Sequence, residues 1–487
     1  MLPKGGFDHN TYLSPFTWRY GSEEMRHLFS EIGTRTIWRK LWTYLAEAQA
    51  DYGLITDQEV ADIRSKMGQD NVDLERSHQI EAEIKHDLMA EIMTYAEQTP
   101  VGGGKIHLGA TSADIEDNTD ALRLLQATDL ILTRLINCLD AMVTNIKKYV
   151  DLSCIGWTHI QPAEPTTLGY RLAIYAQDLT LDITNIENLR KHFIKGKGLK
   201  GAVGTSAGYK VLLKGLTEPS QLEEKVMKRL GLEVFPISSQ TYPRKIDHLI
   251  LCALSTIAQS VHKFGFDLRI MQSPVFGELS EPITGAQVGS STMAFKRNPI
   301  KAERMCSLAR YISALPTVSF MNAANSILER TLDDSANRRI VIPEAFLAID
   351  ECLLLYLTIT RNLSVNTVII KQNLQRFGVF AGTEILLVEL VKRGKDRQRM
   401  HERIRMHAFK AWEEISKGKE NPLQTMITED PEINAVLSQE QINELLDPVG
   451  YIGDASDRAT KFIKTQIEPV LSRYADRINH GKDETNF

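Results

Sequence analysis

Two stretches of this 487-residue chain place an apolar side chain at every third or fourth position: Leu132, Leu135, Leu139, Met142, Ile146 and Tyr149, and again Ile250, Leu254, Ile257, Val261, Phe264 and Leu268. That spacing puts all six side chains on one face of an α-helix, so each stretch is a long helix with a single buried seam. A looser version runs through Leu179, Ile183, Ile186 and Phe193, and through Ile349, Leu353, Tyr356 and Leu363. Seams of this length need partners of the same length. Four or five of them predict an all-α chain built on an up-and-down bundle, with some of the partners supplied by other subunits. Each apolar stripe is read as plain core.

The chain exceeds one ordinary hydrophobic core, and its texture changes twice. Residues 1–111 hold an aromatic, proline-bearing arm and a helix starting at Ser22 with early carboxylates. Helical runs follow over 31–52 and 57–67, with another over 81–95 that carries Lys85, His86 and Asp87 in succession. Pro100 and a cluster of glycines then break helicity before Thr111. Residues 112–364 contain the long seams. Residues 365–487 read as shorter helical segments interrupted by Gly378, Gly382, Gly394 and the acidic stretch from Asn421 to Pro431. A small N-terminal helical domain, a central bundle domain and a C-terminal helical domain are expected. No repeat or strand series stands out; 199–213 is the one candidate hairpin.

Composition removes several function classes. With 57 basic and 62 acidic residues, a net charge of −5, there is no cationic surplus to hold a nucleic-acid polymer. Cys138, Cys154, Cys252, Cys306 and Cys352 are scattered, without the spacing of a zinc site or a disulfide framework, and are expected as reduced thiols. The first ten residues lack an apolar targeting core, and the longest apolar run, Cys352 to Leu357, is far short of a bilayer span. The expectation is a soluble, cytoplasmic protein without a membrane partner.

Four polar clusters carry the candidate chemistry. Gly289-Ser290-Ser291-Thr292-Met293-Ala294-Phe295-Lys296-Arg297-Asn298-Pro299 gathers hydroxyls, two cations and an amide between glycine- and proline-bearing flanks, ahead of a helix from Ile300. It reads as a loop hinged on a rigid element, against the plainer reading of a polar surface turn. His159 lies in Trp157-Thr158-His159-Ile160-Gln161-Pro162-Ala163-Glu164-Pro165, whose two prolines fix the backbone after the imidazole. A neutral imidazole suits passing a proton to a leaving nitrogen; the plainer reading is a satisfied polar side chain. Thr111, Ser112 and Asp114 open a helix, where hydroxyls and N–H groups either hold an anion or simply cap it. Finally, Arg330 and Arg339 flank a stretch whose guanidinium forks suit phosphate and carboxylate, or surface ion pairs.

These clusters together resemble one family. GSSTMAFKRNP is similar to the GSSxMPxKxNP loop of the fumarase/aspartase superfamily, WTHIQPAEP resembles its HxQPAxP element, and TSADIEDN its TSxDxxDN element. KAERMCSLAR and ERTLDDSANRR narrow the resemblance to the adenylosuccinate lyase branch. It spans nearly the whole chain and is weakest over 272–287. One departure is Ala294, where the family loop has its first proline; the open loop loses a residue that fixes φ.

The resemblance implies a three-domain fumarase/aspartase-type fold with a long central bundle, assembled as a homotetramer whose sites are shared between chains. It implies β-elimination of fumarate from adenylosuccinate, giving AMP, and from SAICAR, giving AICAR. His159 is then the general acid, held by Glu303, and Ser290 the general base; the residues alone do not separate Ser290 from Ser291. Lys296 and Asn298 would stabilise developing charge, with His86 as an orienting group. Substrate contacts fall to Arg19, Tyr20, Lys85, His86, Asp87, Thr111, Ser112, Thr158, Gln240, Lys296, Asn298, Arg304, Arg330, Ser335 and Arg339. Neither a cofactor nor a metal is implied. The alternatives are another superfamily lyase, acting on argininosuccinate or fumarate, and a non-catalytic protein on the same scaffold.

Overall fold

The structure is a computed structural model that describes residues 10–283, 292–293 and 295–479. Its first helices each begin on a side-chain cap. Ser22 accepts from the Met25 amide to start α1 (Glu23–Leu28), Ser30 from the Gly33 amide to start α2 (Glu31–Ala50), and Thr56 exchanges bonds with Glu59 to start α3 (Asp57–Ser65). A cap of this kind is worth about 1 kcal/mol. The single helix expected over 81–95 is in fact two, α4 (Leu74–Ile84) and α5 (Asp87–Gln98). Lys85 takes a left-handed backbone, φ 60°, and the ring of His86 accepts from the Met89 amide at 3.3 Å to start the second helix. Lys85, His86 and Asp87 therefore occupy a kink rather than a continuous helix.

The bundle follows. Its members are α6 (Ser112–Lys148), α7 (Leu168–His192), and, after the short α8 (Ala207–Leu212) and α9 (Pro219–Leu230), α10 (Lys245–Gln272), α11 (Ile300–Ala314), α12 (Pro316–Ala324) and α13 (Ser335–Arg361). Side-chain bonds fix their directions. Arg190 of α7 donates to the Leu125 carbonyl of α6 at 2.9 Å while Gly169 bonds Tyr149, so the two are antiparallel. Tyr175 meets Asp267 at 2.7 Å and Asn185 meets Thr256 at 3.4 Å, which sets α10 against α7. Arg269–Glu303 and Cys306–His262 set α11 against α10. Asp120–Arg338 at 3.1 Å, Arg134–Asp350 at 3.1 Å and Asn145 to the Thr360 carbonyl at 2.8 Å make α13 parallel to α6. The chain alternates up and down, and the seams read from the sequence lie in one core, with Leu135, Leu139, Ile257, Val261, Ile349 and Leu353 fully buried. Phe193 departs from its seam and is exposed. Among the described residues α10 is long and apolar enough to cross a membrane, but half of its apolar window is buried inside the bundle.

A second core joins α2, α3 and α5 to α8 and α9, through Trp42, Ile63, Tyr95, Tyr209 and Val226. A third lies between α14 (Thr367–Lys392), α15 (Arg397–Ser416) and the short helices up to Leu446. Gly378 and Gly382 do not interrupt this region, as the sequence suggested; both sit inside α14. A Cβ at Gly378 would stand 2.4 Å from the Pro448 side chain, and one at Gly382 2.8 Å from the Leu446 backbone. They are glycines because another segment crosses closely. Gly378→Ala is expected to cost about 1–3 kcal/mol through overpacking, read as a lower Tm of the purified protein.

The expected hairpin over 199–213 is absent, and α8 occupies part of it. The hairpin of this chain is instead β1 (Ser153–Thr158) with β2 (Gln161–Thr167), antiparallel, and it contains Pro162 and Pro165. Prolines mask a strand signal, yet in a two-stranded sheet each strand has a free edge that tolerates a missing N–H.

Candidate active site

Where α6, α10 and α13 begin, a cavity of 1370 Å³ opens between the bundle and the first helices. Thr34, Arg35 and Trp38 of α2 form one wall, Lys85 and Asp87 of the kink a second, Glu116, Asp117 and Asp120 of α6 a third, and Arg330, Ser335, Arg338 and Arg339 the fourth. Five residues expected from the sequence thus come together here: Lys85, Asp87, Arg330, Ser335 and Arg339. Thr111 and Ser112 start α6 at the same end, and the Gln240 amide donates to the Glu329 carbonyl at 3.2 Å, beside Arg330.

Buried ion pairs hold this end. Arg244 reaches Asp117 at 3.0 Å and Asp334 at 2.6 Å; Arg338 reaches Asp247 at 2.7 Å, Asp120 at 3.1 Å and the Tyr242 hydroxyl at 2.7 Å. Removing one member of such a buried pair leaves an uncompensated charge, a cost of about 3–5 kcal/mol, so the first turn of α13 is firmly placed. Sequence reasoning missed this frame. The signal lay in acids on one helix and arginines far along the chain, and nothing local pairs them.

Two other residues of the same motif, Asp114 and Asn118, also turn inward. Asp114 binds Lys197 and the amides of Lys200 and Gly201, and the Asn118 side chain takes both the N–H and the C=O of Gly198, at 2.9 and 3.0 Å. Arg339 is different: its side chain is 65% exposed and its guanidinium meets Asp87 at 2.7 Å, an arrangement that can open to take an anion. Burial works to raise the Asp87 carboxyl, but the hydrogen bond and field of Arg339 outweigh it and hold Asp87 below its usual value.

A second group lies midway along the bundle. The Gly21 amide donates to Glu351 at 3.2 Å and the Ser22 amide to Asp350 at 2.7 Å, which ties the arm bearing Arg19 and Tyr20 to α13. Arg304 reaches the other Glu351 oxygen at 3.3 Å, with its guanidinium 5.6 Å from the centre of the Tyr20 ring. Arg19, Tyr20 and Arg304 are therefore assembled on one acidic pair.

The third group is at the far end. Thr158 pairs with Gln161, leaving His159 and Ile160 as a two-residue turn with φ 55° and 60°. Such a turn normally calls for Asn or Gly, and a β-branched residue there is strained by about 1–3 kcal/mol. The imidazole is thereby held out, exposed, at the tip of a stiff hairpin whose Trp157 packs edge-on against Phe276 at 4.8 Å and Phe377 at 5.7 Å. The exposed Lys296 and the partly covered Asn298 lie at this end too, tied by the Gln272 amide to the Arg297 carbonyl at 3.1 Å. Glu303 stands 3.9 Å from Arg269. Ser290, Ser291 and Ala294 lie outside the described residues. The hairpin follows the end of α6, and at 1.5 Å per residue Asp120 and Lys148 are roughly 40 Å apart. Within one chain, the imidazole and the arginine-lined cavity do not meet.

Comparison with known proteins gives the scaffold first. The model of a family described as "Lyase" matches residues 22–313. The fold is shared with 3-carboxy-cis,cis-muconate lactonizing enzyme from Pseudomonas putida (TM-score 0.81, 24% identity, 92% of this chain and 98% of that one). It is shared also with fumarate lyase from Mesorhizobium sp. BNC1 (TM-score 0.80, 21% identity, 93% and 100%). Residues 380–462 match the model described as "Adenylosuccinate lyase C-terminus". Adenylosuccinate lyase of Schistosoma mansoni is 39% identical over 96% of this chain and 97% of its own length; that of Saccharomyces cerevisiae is 36% identical over 98% and 99%. The chain belongs to the adenylosuccinate lyase family.

Proposed function

We propose that the chain eliminates fumarate from adenylosuccinate to give AMP, and from SAICAR to give AICAR, in sites shared between subunits. The observation that carries this reading is the arginine-lined cavity, set in a chain that aligns with adenylosuccinate lyases over nearly its full length. A nucleoside monophosphate offers a phosphate to Arg330, Ser335 and Arg339, and Lys85 with the kinked His86–Asp87 segment faces the same space. The hydrogen on Cβ of the succinyl group is very weakly acidic, so its removal needs charge stabilisation on the neighbouring carboxylate. Lys296 and Asn298 supply it, a contribution of several kcal/mol in such sites. Ser290 takes the proton and His159 protonates the departing N6, with Glu303 orienting the imidazole. The reaction so written uses no cofactor and no metal.

Because the groups occupy two ends and the middle of a single bundle, a complete site draws on neighbouring chains. We propose a homotetramer, in which the exposed apolar side chains along the bundle helices, Ile174 and Leu181 on α7, Phe266 on α10 and Phe320 on α12, pack against other subunits. The divisions 1–111, 112–364 and 365–487 remain the proposed domains. The buried thiols of Cys138, Cys154, Cys306 and Cys352 favour the cytoplasm as its location.

Following the absorbance change when adenylosuccinate is added tests reaction and substrate together. Turnover with competitive inhibition by AMP, and none by arginine, is the expected result. Absence of turnover at any protein concentration, or inhibition by arginine instead, overturns the reading.

A further inference from the structure

Four carboxylates line or border the cavity on the side of α6: Asp87, Glu116, Asp117 and Asp120. Three have an arginine. Asp87 is paired with Arg339 at 2.7 Å, Asp117 with Arg244 at 3.0 Å, and Asp120 with Arg338 at 3.1 Å and Arg123 at 3.3 Å. Among the described residues Glu116 has no ion pair and no hydrogen bond from its side chain, although it is partly buried in the wall that faces Arg339.

Charged groups line the cavity with it from each wall, among them Glu31 and Arg35 of α2, Glu75, His78 and Glu81 of α4, Arg244 and Arg330. Its own helix contributes Asp117, Asp120 and Arg123, the kink contributes Lys85, His86 and Asp87, and α13 contributes Arg338 and Arg339. Burial and then the fields of Asp87, Asp117 and Asp120 push the Glu116 carboxyl up to about 7, against the weaker opposing pull of Arg339. At neutral pH a large share of the molecules therefore carry a protonated Glu116, a donor of one O–H rather than a fourth negative charge.

We propose that Glu116 is a further ligand-binding residue of the anion subsite: as a neutral carboxyl it admits the phosphate of a nucleoside monophosphate beside Arg339, and binding is coupled to uptake of one proton at this side chain. The proposal rests on the nucleotide-lyase reading of the cavity and adds to it a residue that the resemblance does not assign. Its physical content is a sign. A phosphate placed near Glu116 adds negative charge, so the carboxyl holds its proton more tightly in the complex than in the free protein. Affinity is then full when Glu116 is protonated beforehand and weakens as pH rises above about 7.

The experiment is calorimetric titration of the intact assembled protein with AMP from pH 6.5 to 8.5, each point in two buffers of different ionisation enthalpy, for the native protein and for Glu116→Gln. The two-buffer design counts protons taken up on binding. Glutamine keeps the size and a donor but cannot ionise, and its Tm in the same buffers shows that it is folded. The native protein is expected to lose affinity by roughly tenfold across the range, with proton uptake of up to one at the alkaline end. The variant should keep only the pH dependence that both share: the second ionisation of the phosphate, near pH 6, which favours binding as pH rises, and the histidines. Equal pH dependence and equal proton uptake in the two proteins would overturn the role of Glu116 while leaving the lyase reading intact. Failure of the native protein to bind AMP at any pH would overturn that reading itself.

Discussion

His159→Ala is expected to lower kcat by about a thousandfold or more while leaving AMP affinity within a few-fold of the native value. The imidazole stands at a rigid turn at one end of the bundle, and the arginine-lined cavity is at the other, so removing the ring takes away the proposed proton donor without touching Arg330, Ser335 or Arg339. Arg339→Ala should do the reverse, weakening AMP binding strongly while keeping the hairpin and its imidazole. The separation makes a sharper test possible. If one chain supplies the hairpin and another the cavity, equal amounts of the two inactive variants, dissociated and reassembled together, form sites in which each requirement is met half the time. About a quarter of native activity should return, measured as fumarate release at an adenylosuccinate concentration near the native KM, where each variant alone is inactive. Persistent inactivity of mixtures that have demonstrably exchanged subunits would mean that each site is complete within one chain, against a gap of roughly 40 Å along α6.

How much of this was legible beforehand follows from how local each signal is. The seams of α6 and α10 are carried by residues three and four apart, and the caps at Ser22 and Thr56 by residues three apart; both were open to a reading of the sequence, though Ser30 and Thr56 were not singled out. The kink at Lys85 was not legible, because a left-handed lysine carries no mark of its own and helical composition continues on both sides. The hairpin around His159 was masked by Pro162 and Pro165, and its turn lacks the Asn-Gly pair that usually announces one. Gly378 and Gly382 were misread for the opposite reason: a glycine that makes room for Pro448 or Leu446 looks, in sequence, like one that ends a helix. In the site, the residues expected from the sequence that line the cavity were reached through motif resemblance, whereas the frame behind them was not. Arg244 meets Asp117 across 127 positions and Arg338 meets Asp120 across 218, and such pairs exist only once the bundle has formed.

The second large effect concerns the loop that carries Ser290. Ser290→Ala is expected to reduce turnover by about a thousandfold with substrate affinity retained within a few-fold, while Ser291→Ala stays near native. A serine hydroxyl is a poor base in water, so the proposed assignment requires that the loop bring it to the succinyl Cβ together with a cation, and that water be excluded there. Lys296 is six positions on and exposed, and its amide bonds the Met293 carbonyl at 3.0 Å. The segment downstream is firmly placed: the amides of Lys301 and Ala302 donate to the buried Glu281 carboxylate, each at 3.0 Å, and Ile300 begins a packed helix. The two substitutions should therefore differ in kind. Without Lys296 the carboxylate beside Cβ loses its counter-charge in both the ground state and the transition state, and Lys296→Ala is expected to raise KM and lower kcat together. Without the Ser290 hydroxyl only the proton transfer is lost, so KM holds and kcat falls. A solvent-exchange experiment separates them further. The native protein should exchange the Cβ hydrogen of bound adenylosuccinate with deuterium from solvent whenever C–N cleavage is slower than deprotonation; Ser290→Ala should not, and His159→Ala should, because its block falls after the proton has left. Exchange that survives in Ser290→Ala and disappears in Ser291→Ala would move the base by one residue.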